Sequence, residues 1–312
     1  MVWYKNYNWK SNPFVIDPIP DTFIIDDIRK KVEEAIYSGD ILNLYGQTGT
    51  GKTSLLRAME TSMKGAFVPV YIDPLDLPNY APDGVSDDKR QYEGFLAKLK
   101  KDALKDPLAG FKRLLGQRRT LLESLKSTYK GKKLVLLIDE AKDITDPTIP
   151  SYFRSIKNSG ADCSIIITSI DPVSKLQTFG DSLRDVRVSF LQMRTVSLEE
   201  AREMFAKRIS NVGGTGIEPF DEQTFKHLVE RSKFTPISIL RNAEDTLKYL
   251  SFNNRPDVVK KEDIALALAE SMPKQVTQVE QLKAEYVSVA AVETPKVHEP
   301  VRATVPFDNL TE

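Results

Sequence analysis

The spacing of apolar residues changes along the chain, and each change marks an element. Ile28, Val32 and Ile36 fall four apart and predict a helix over Ile25–Tyr37 that stops at Gly39. Ile41–Tyr45 is a short apolar run that predicts a strand. A helix follows over Thr53–Met63, opened by Lys52, and then a second strand over Phe67–Ile72, ended by Asp73-Pro74. Residues 74–133 form a long excursion. Its start, DPLDLPNYAPDG, reads as a loop, and Tyr92, Phe95, Leu99, Leu108, Phe111, Leu115, Leu121, Leu122 and Leu125 then keep helical spacing. Leu134–Ile138 is uninterrupted, as a strand buried on both faces of a parallel sheet is. Cys163–Ile167 reads the same way, and Val186–Leu191 is a candidate fifth strand.

From Ser197 onward the period is helical throughout. Ser197-Leu-Glu-Glu200 is a capping box, with serine and glutamate satisfying each other's exposed amides. Ala201, Met204, Phe205 and Ile209 make the apolar stripe behind it. Phe220–Arg231, Pro236–Leu250 and Lys261–Ser271 give three more helices. Strands alternating with helices, then helices alone, predict an α/β domain with a parallel sheet plus a small helical domain. The expected organisation is an aromatic, proline-rich extended arm over 1–20, a core over 21–192 carrying the excursion, a helical unit over 193–271, and a tail over 272–312. The tail's last part, with three prolines from Thr294 and little periodicity, reads as disordered.

Composition narrows the chemistry. Lys and Arg balance Asp and Glu at 44 each in 312 residues, so a globally basic nucleic-acid binder is not indicated. One cysteine and two histidines leave no intramolecular disulfide and little basis for zinc chemistry. The longest apolar run is the six residues Ile264–Ala269, against about 20 for a membrane span. MVWYKNYNWK has no signal-peptide core, so a cytoplasmic protein without a membrane contact is the expectation.

The informative chemistry sits between the first strand and the next helix. Gly46-Gln47-Thr48-Gly49-Thr50-Gly51-Lys52-Thr53 fits G-x-x-x-x-G-K-[ST], with Ser54 next. Glycines let the backbone turn through positive φ and approach a ligand closely. The turned amides and the helix beginning near Lys52 suit an anionic polyphosphate. Lys52 would reach the β- and γ-phosphates, and Thr53 would offer its hydroxyl to Mg²⁺. Such a loop needs a carboxylate from a neighbouring strand, and Leu134–Ile138 ends in Asp139-Glu140. Asp139 would hold the Mg²⁺ shell while Glu140 orients and polarises the attacking water. Thr168 and Ser169, closing the strand after it, are polar candidates for the γ-phosphate or the water.

GQTGTGKT, LVLLIDEA and SIIITS, followed by a helical unit, resemble the motifs of AAA+ ATPases. Within that superfamily the chain is similar to the branch of ExeA-type, transposition-regulator and origin-recognition or helicase-loader ATPases. Asn12-Pro13-Phe14, the stretch VRVSFLQMRTVSLEEAREMFAKRI and KFTPISILRNAEDTLKYL carry that similarity. The resemblance implies a five-stranded parallel P-loop sheet with an all-helical lid, ATP and Mg²⁺ as ligands, and hydrolysis of ATP to ADP and phosphate. It also implies an arginine finger from a neighbouring subunit, for which Arg184 and Arg187 both stand in the right region, and hence a homo-oligomer, ring or filament. Where the lid motif carries arginine directly after proline, this chain has Ile237; Arg241, one turn on, is the remaining candidate for sensor two.

The excursion suggests a target. From Lys89 to Lys133, fourteen Lys and Arg face four Asp and Glu, a surplus of +10 in a neutral chain. Helical spacing would segregate these charges from the leucines, a pattern able to track the phosphates of DNA or RNA. About forty residues follow the last helix, so the winged-helix domain of origin initiators is not expected in this stretch. Val305, Phe307 and Leu310 near the terminus could form a docking peptide for a protein partner. The expected function is an oligomeric ATPase that binds or remodels DNA or a nucleoprotein complex, such as a replication, transposition or helicase-loading regulator. A STAND-like nucleotide-dependent signalling switch and a protein-remodelling ATPase that ignores nucleic acid remain the alternatives.

Overall fold

The apolar runs become one parallel sheet. A computed structural model of the chain describes residues 2–16, 19, 25–103, 133–180, 182–183, 186–255 and 258–271. The described strands are β1 (Ile41–Tyr45), β2 (Phe67–Ile72), β3 (Lys133–Ile138), β4 (Cys163–Ser169) and β5 (Val188–Gln192). They pair in the order β2-β3-β4-β1-β5, every pair parallel. The register aligns Ile72 with Ile138, Ile138 with Ile167, and Leu44 with Thr168. The carboxyl ends of β1, β3 and β4 therefore open at one edge, which is where ligands bind in such sheets.

The two-residue period of the strands divides the core. Leu42, Leu44, Tyr71, Val135, Leu137 and Ile166 join one apolar cluster. Ile41, Val70, Ile72, Leu136, Ile138, Ile165 and Ile167 join the other. The first face is covered by α1 (Asp26–Ser38) and α2 (Lys52–Ser62), the second by α3 (Asp87–Ala103) and α4 (Thr148–Asn158). Ile28, Val32 and Ile36 are the buried stripe of α1. Its last carbonyls at Ile36 and Tyr37 accept from Lys133 Nζ at 3.2 and 2.6 Å, a cation placed at a helix C-terminus.

The lid consists of α5 (Leu198–Asn211), α6 (Glu222–Arg231), α7 (Pro236–Phe252) and α8 (Lys261–Ser271). The capping box at Ser197 and Glu200 is formed in both directions. Phe205, Phe225, Leu228, Ile239, Leu247 and Ile264 fill the lid interior, contiguous with the first sheet face. Residues Met1–Leu268 form one compact unit, and Ala269–Glu312 are a second of which only residues 269–271 are described.

The amino-terminal residues differ from the extended arm expected of them. Trp3–Tyr7 wind into a 3₁₀ turn, and Trp3, Trp9 and Phe14 are buried. Phe14 lies 5.0 Å from the Phe205 ring, and Trp3 stacks on Phe14 at 6.2 Å. Asn12 bridges the turn, accepting from Phe14 N at 2.8 Å and donating to Glu244 at 2.9 Å. Burial of these rings against the lid outweighs the freedom of an extended arm, since each aromatic removes a large apolar area from water.

Two expectations fall largely outside the described residues: the basic stretch 104–132 and the tail 272–312. Of the insert's described cations, Lys98 pairs with Asp102 at 3.0 Å, Arg90 lies 3.9 Å from Asp87, and Lys133 caps α1. No described helix is long and apolar enough to cross a membrane.

Candidate functional site

The loop between β1 and α2 is shaped by its glycines. Gly49 has φ +86° and Gly51, the N-cap of α2, has φ +100°, the left-handed region that side chains avoid. A β-carbon at Gly49 would also lie 2.0 Å from Ile237 Cγ2 of the lid. The lid thus seats directly on the loop, and Ile237 N donates to Gly49 O at 3.3 Å. Lys52 opens α2 and folds back, its Nζ donating to Gly46 O at 2.7 Å and Gln47 O at 3.0 Å. Only 4 % of it is exposed. Desolvation lowers its pKa, while the carboxylates of Glu140 and Asp139 act in the opposite sense.

A cavity of about 310 Å³ opens over this loop. Its polar end is lined by Thr48–Ser54 and Glu140. Ile16, Ile25, Val196, Met204 and Leu240 make an apolar end contributed by the arm, α1, the β5–α5 connection and the lid. Pro236, Ile237 and Arg208 complete the wall from the lid.

Beneath the polar end, three strands converge on one carboxylate. Asp139 is buried; its Oδ1 accepts from Thr168 Oγ1 at 2.6 Å and from Glu140 N at 3.1 Å. Its Oδ2 accepts from the phenol of Tyr71 at 2.7 Å. Burial first, and then the Asp139 charge, push the Tyr71 phenol far above its ordinary value, so it stays a donor. Glu140 follows with φ +44° and ψ 62°, a left-handed turn immediately after the strand. Its amide is held by Asp139 and by Thr168 Oγ1 at 3.0 Å. Its buried Oε2 has no hydrogen-bond partner and lies 3.8 Å from Lys142 Nζ. A strained backbone that places a carboxylate oxygen without a hydrogen bond at a cavity wall is a feature of functional sites.

The expected site residues distribute unequally. Thr48, Gly49, Thr50, Gly51, Lys52, Thr53, Ser54 and Glu140 line the cavity, Gly46 and Gln47 anchor Lys52 through their carbonyls, and Asp139 and Thr168 lie directly behind Glu140. Ser169 turns elsewhere: its hydroxyl accepts from Asn43 Nδ2 at 2.8 Å and donates to Asp171 O, which fixes the end of β4 to β1. Arg241 is exposed on α7 and does not line the cavity; Ile237 occupies the position over the loop. Arg187 is exposed just before β5, and Arg184 lies outside the described residues. Two contributors were not anticipated. Arg208 is buried in the cavity wall and donates to Pro13 O and to Val15 O, the latter at 2.7 Å. Tyr71 is the other.

The donors fit a hard divalent cation carried by phosphates. Thr53, Asp139 and Glu140 offer oxygens alone. Among the described residues no group of three or more His, Cys, Asp and Glu could hold a metal unaided. Such an ion would rely on nucleotide oxygens, as Mg²⁺ does in phosphoryl-transfer sites.

A glycine loop on one central strand, with its acidic partner two strands away at the same edge, defines a P-loop nucleotide-binding ATPase fold. Residues 36–171 match the AAA domain family, and the chain carries the AAA+ form of that fold, sheet and helical lid together. The structure is similar to the Aeropyrum pernix ORC1 protein in complex with DNA, at 13 % identity over 91 % of this chain and 76 % of that one, with a TM-score of 0.57. It is similar to Cdc6p from Pyrobaculum aerophilum at 15 % identity over 83 % and 70 %, TM-score 0.54. It is also similar to the Thermotoga maritima RuvB Holliday junction branch migration motor at 14 % identity over 82 % and 72 %, TM-score 0.50. At these identities the likeness is one of fold. The sequence has no significant match among curated proteins.

Proposed function

We propose that the protein hydrolyses ATP and, as an oligomer, couples the nucleotide cycle to binding or remodelling of DNA or a nucleoprotein complex. The observation that carries the hydrolytic part is Glu140. Its carboxylate stands at the wall of the cavity over the glycine loop, with one buried oxygen free of hydrogen bonds and 3.8 Å from Lys142 Nζ, and its backbone is pinned by Asp139 and Thr168.

In this reading the loop amides cradle the phosphates, and Lys52 releases Gly46 and Gln47 to meet them. Thr53 and Asp139 would hold Mg²⁺, which supplies charge neutralisation at the β- and γ-phosphates. Glu140 accepts a hydrogen bond from the attacking water and draws its proton. The apolar end receives the base. The cations lining the described cavity are Lys52 and Arg208, and the Arg208 guanidinium is bonded to the arm carbonyls. An arginine supplied in trans, Arg184 or Arg187 of a neighbour, would complete stabilisation of the transition state.

The DNA part rests on the charge surplus between Lys89 and Lys133 and on the fold likeness to a protein solved with DNA. ATP turnover by the full chain, with and without single- and double-stranded DNA at two salt concentrations, tests it. Stimulation that fades steeply with salt is expected; turnover indifferent to DNA at both salts rejects the DNA part. The seating of neutral Ile237 on Gly49 favours a second reading, a switch in which ATP sets lid position and turns over slowly. Tight nucleotide retention after one turnover distinguishes it.

A further inference from the structure

We propose that Tyr71 is a positioning residue for the metal–nucleotide site, holding the Asp139 carboxylate in one orientation through its phenolic hydrogen bond. The proposal rests on the ATPase reading and deepens it.

The geometry follows from register. Tyr71 pairs with Leu137, so its ring points to the same sheet face as Leu137 and, two residues on, Asp139. The hydroxyl then meets Asp139 Oδ2 at 2.7 Å, while Oδ1 is taken by Thr168 and the Glu140 amide. Each carboxylate oxygen is thereby engaged from a different side, and rotation about the Asp139 side chain would break two or three bonds at once. A ring needed only for packing would require no hydroxyl, and phenylalanine would fill the same volume.

A second contact ties this tyrosine to the phosphate loop. Arg57 of α2 stacks its guanidinium 3.4 Å from the Tyr71 ring centroid and pairs with Glu60 at 3.0 Å. Arg57 stands in the helix that Lys52 and Thr53 begin. A cation over the ring face withdraws electron density and strengthens the phenol as a donor. The Arg57–Tyr71–Asp139 chain thus links the helix bearing Thr53 to the strand bearing the second oxygen donor, and sets the two against each other.

Groups that orient ligating carboxylates typically change metal affinity or activity by about 10–100-fold when removed. Tyr71→Phe keeps the ring and deletes the bond. In the full-length protein, binding of a fluorescent, non-hydrolysable ATP analogue is measured as Mg²⁺ is titrated, with turnover followed separately. Tyr71→Phe is expected to raise the half-saturating Mg²⁺ concentration about 10-fold or more, to leave metal-free nucleotide binding unchanged, and to recover partly with Mn²⁺. Arg57→Gln, which leaves the phenol in place, is expected to shift the same midpoint less and in the same direction. It also carries the test if the phenylalanine variant does not fold. A wild-type Mg²⁺ midpoint in whichever of these variants folds overturns the proposal, even where its melting temperature falls. Wild-type protein that binds the analogue without any response to Mg²⁺ overturns the ATPase reading and this proposal together.

Discussion

Replacing Gly49 by alanine tests whether the lid truly rests on the phosphate loop. The substitution acts twice. At φ +86° an L-residue costs roughly 1–2 kcal/mol in backbone strain. The new β-carbon would also stand 2.0 Å from Ile237 Cγ2 and 3.4 Å from Thr235 Cγ2. Ile237 is β-branched and stiff about χ1, so relief must come from a shift of the start of α7, an overpacking cost of about 1–3 kcal/mol. Gly49→Ala alone should therefore lose roughly 2–5 kcal/mol, a large share of an ordinary domain's stability. Ile237→Ala alone removes a half-buried side chain and should cost about 1–2 kcal/mol. In the double variant Cγ2 is gone and the nearest atom is Ile237 Cβ at 3.0 Å, tight but close to tolerable. The overpacking then largely vanishes, and the pair should be more stable than the sum of singles by about 1–3 kcal/mol. Equilibrium urea denaturation of the four proteins measures this directly. Single effects that add within about 0.5 kcal/mol would show that the lid does not contact the loop, and would refute the reasoning.

Two further substitutions probe the frame around the site. Arg194 donates to Asp27 of α1 at 2.7 Å and to both oxygens of Glu200 in the lid's capping box. These hydrogen bonds hold both carboxyls below their ordinary values of 3.8 and 4.5. Because the folded pKa values are depressed, the stabilisation is complete above about pH 4.5 and disappears as pH falls through the depressed values. Exposure of Arg194 and Asp27 screens the pair, so Arg194→Ala should cost only about 1 kcal/mol at pH 7, shrinking toward zero as pH falls below both depressed values. A stability difference independent of pH would contradict this. Gln91 of α3 accepts from the amides of Thr145 and Asp146 at 2.9 and 3.0 Å and donates to Asp143 O at 2.7 Å, pinning the loop that follows Glu140. Gln91→Leu should speed hydrogen exchange at the Thr145 and Asp146 amides by about tenfold, the weight of one or two hydrogen bonds; unchanged protection would sink the idea.

Features set by neighbours in sequence were legible in advance. The glycine loop, the strand ending in Asp139-Glu140 and the capping box at Ser197 each depend on local spacing. Strand burial was readable because LVLLI and SIII carry no alternation, as a sheet covered on both faces demands. Features set by distant partners were not. Trp3, Trp9 and Phe14 read as part of an extended arm because their covering partner, Phe205 and its neighbours, lies about two hundred residues on. Arg208 did leave a trace: it follows Ala201, Met204 and Phe205 at helical spacing and so sits on the buried stripe of α5. A charge on an apolar stripe requires a polar partner, and here the arm carbonyls supply one. Tyr71 left none, since a tyrosine in a strand has an ordinary packing role until the register with Leu137 places its hydroxyl at Asp139. For Thr168 and Ser169 the sequence left both open, and only the strand's facing separates them. Thr168 bonds Asp139, whereas Ser169 bonds Asn43.

The central claim is that Glu140 drives water onto a triphosphate gripped by the loop at Lys52. The most direct measurement is phosphate release from Mg·ATP by full-length Glu140→Gln beside wild type, with nucleotide affinity determined on the same samples. The account predicts that the variant still binds ATP while turnover falls about 10²–10⁴-fold. Turnover at the wild-type rate in the glutamine variant would contradict it.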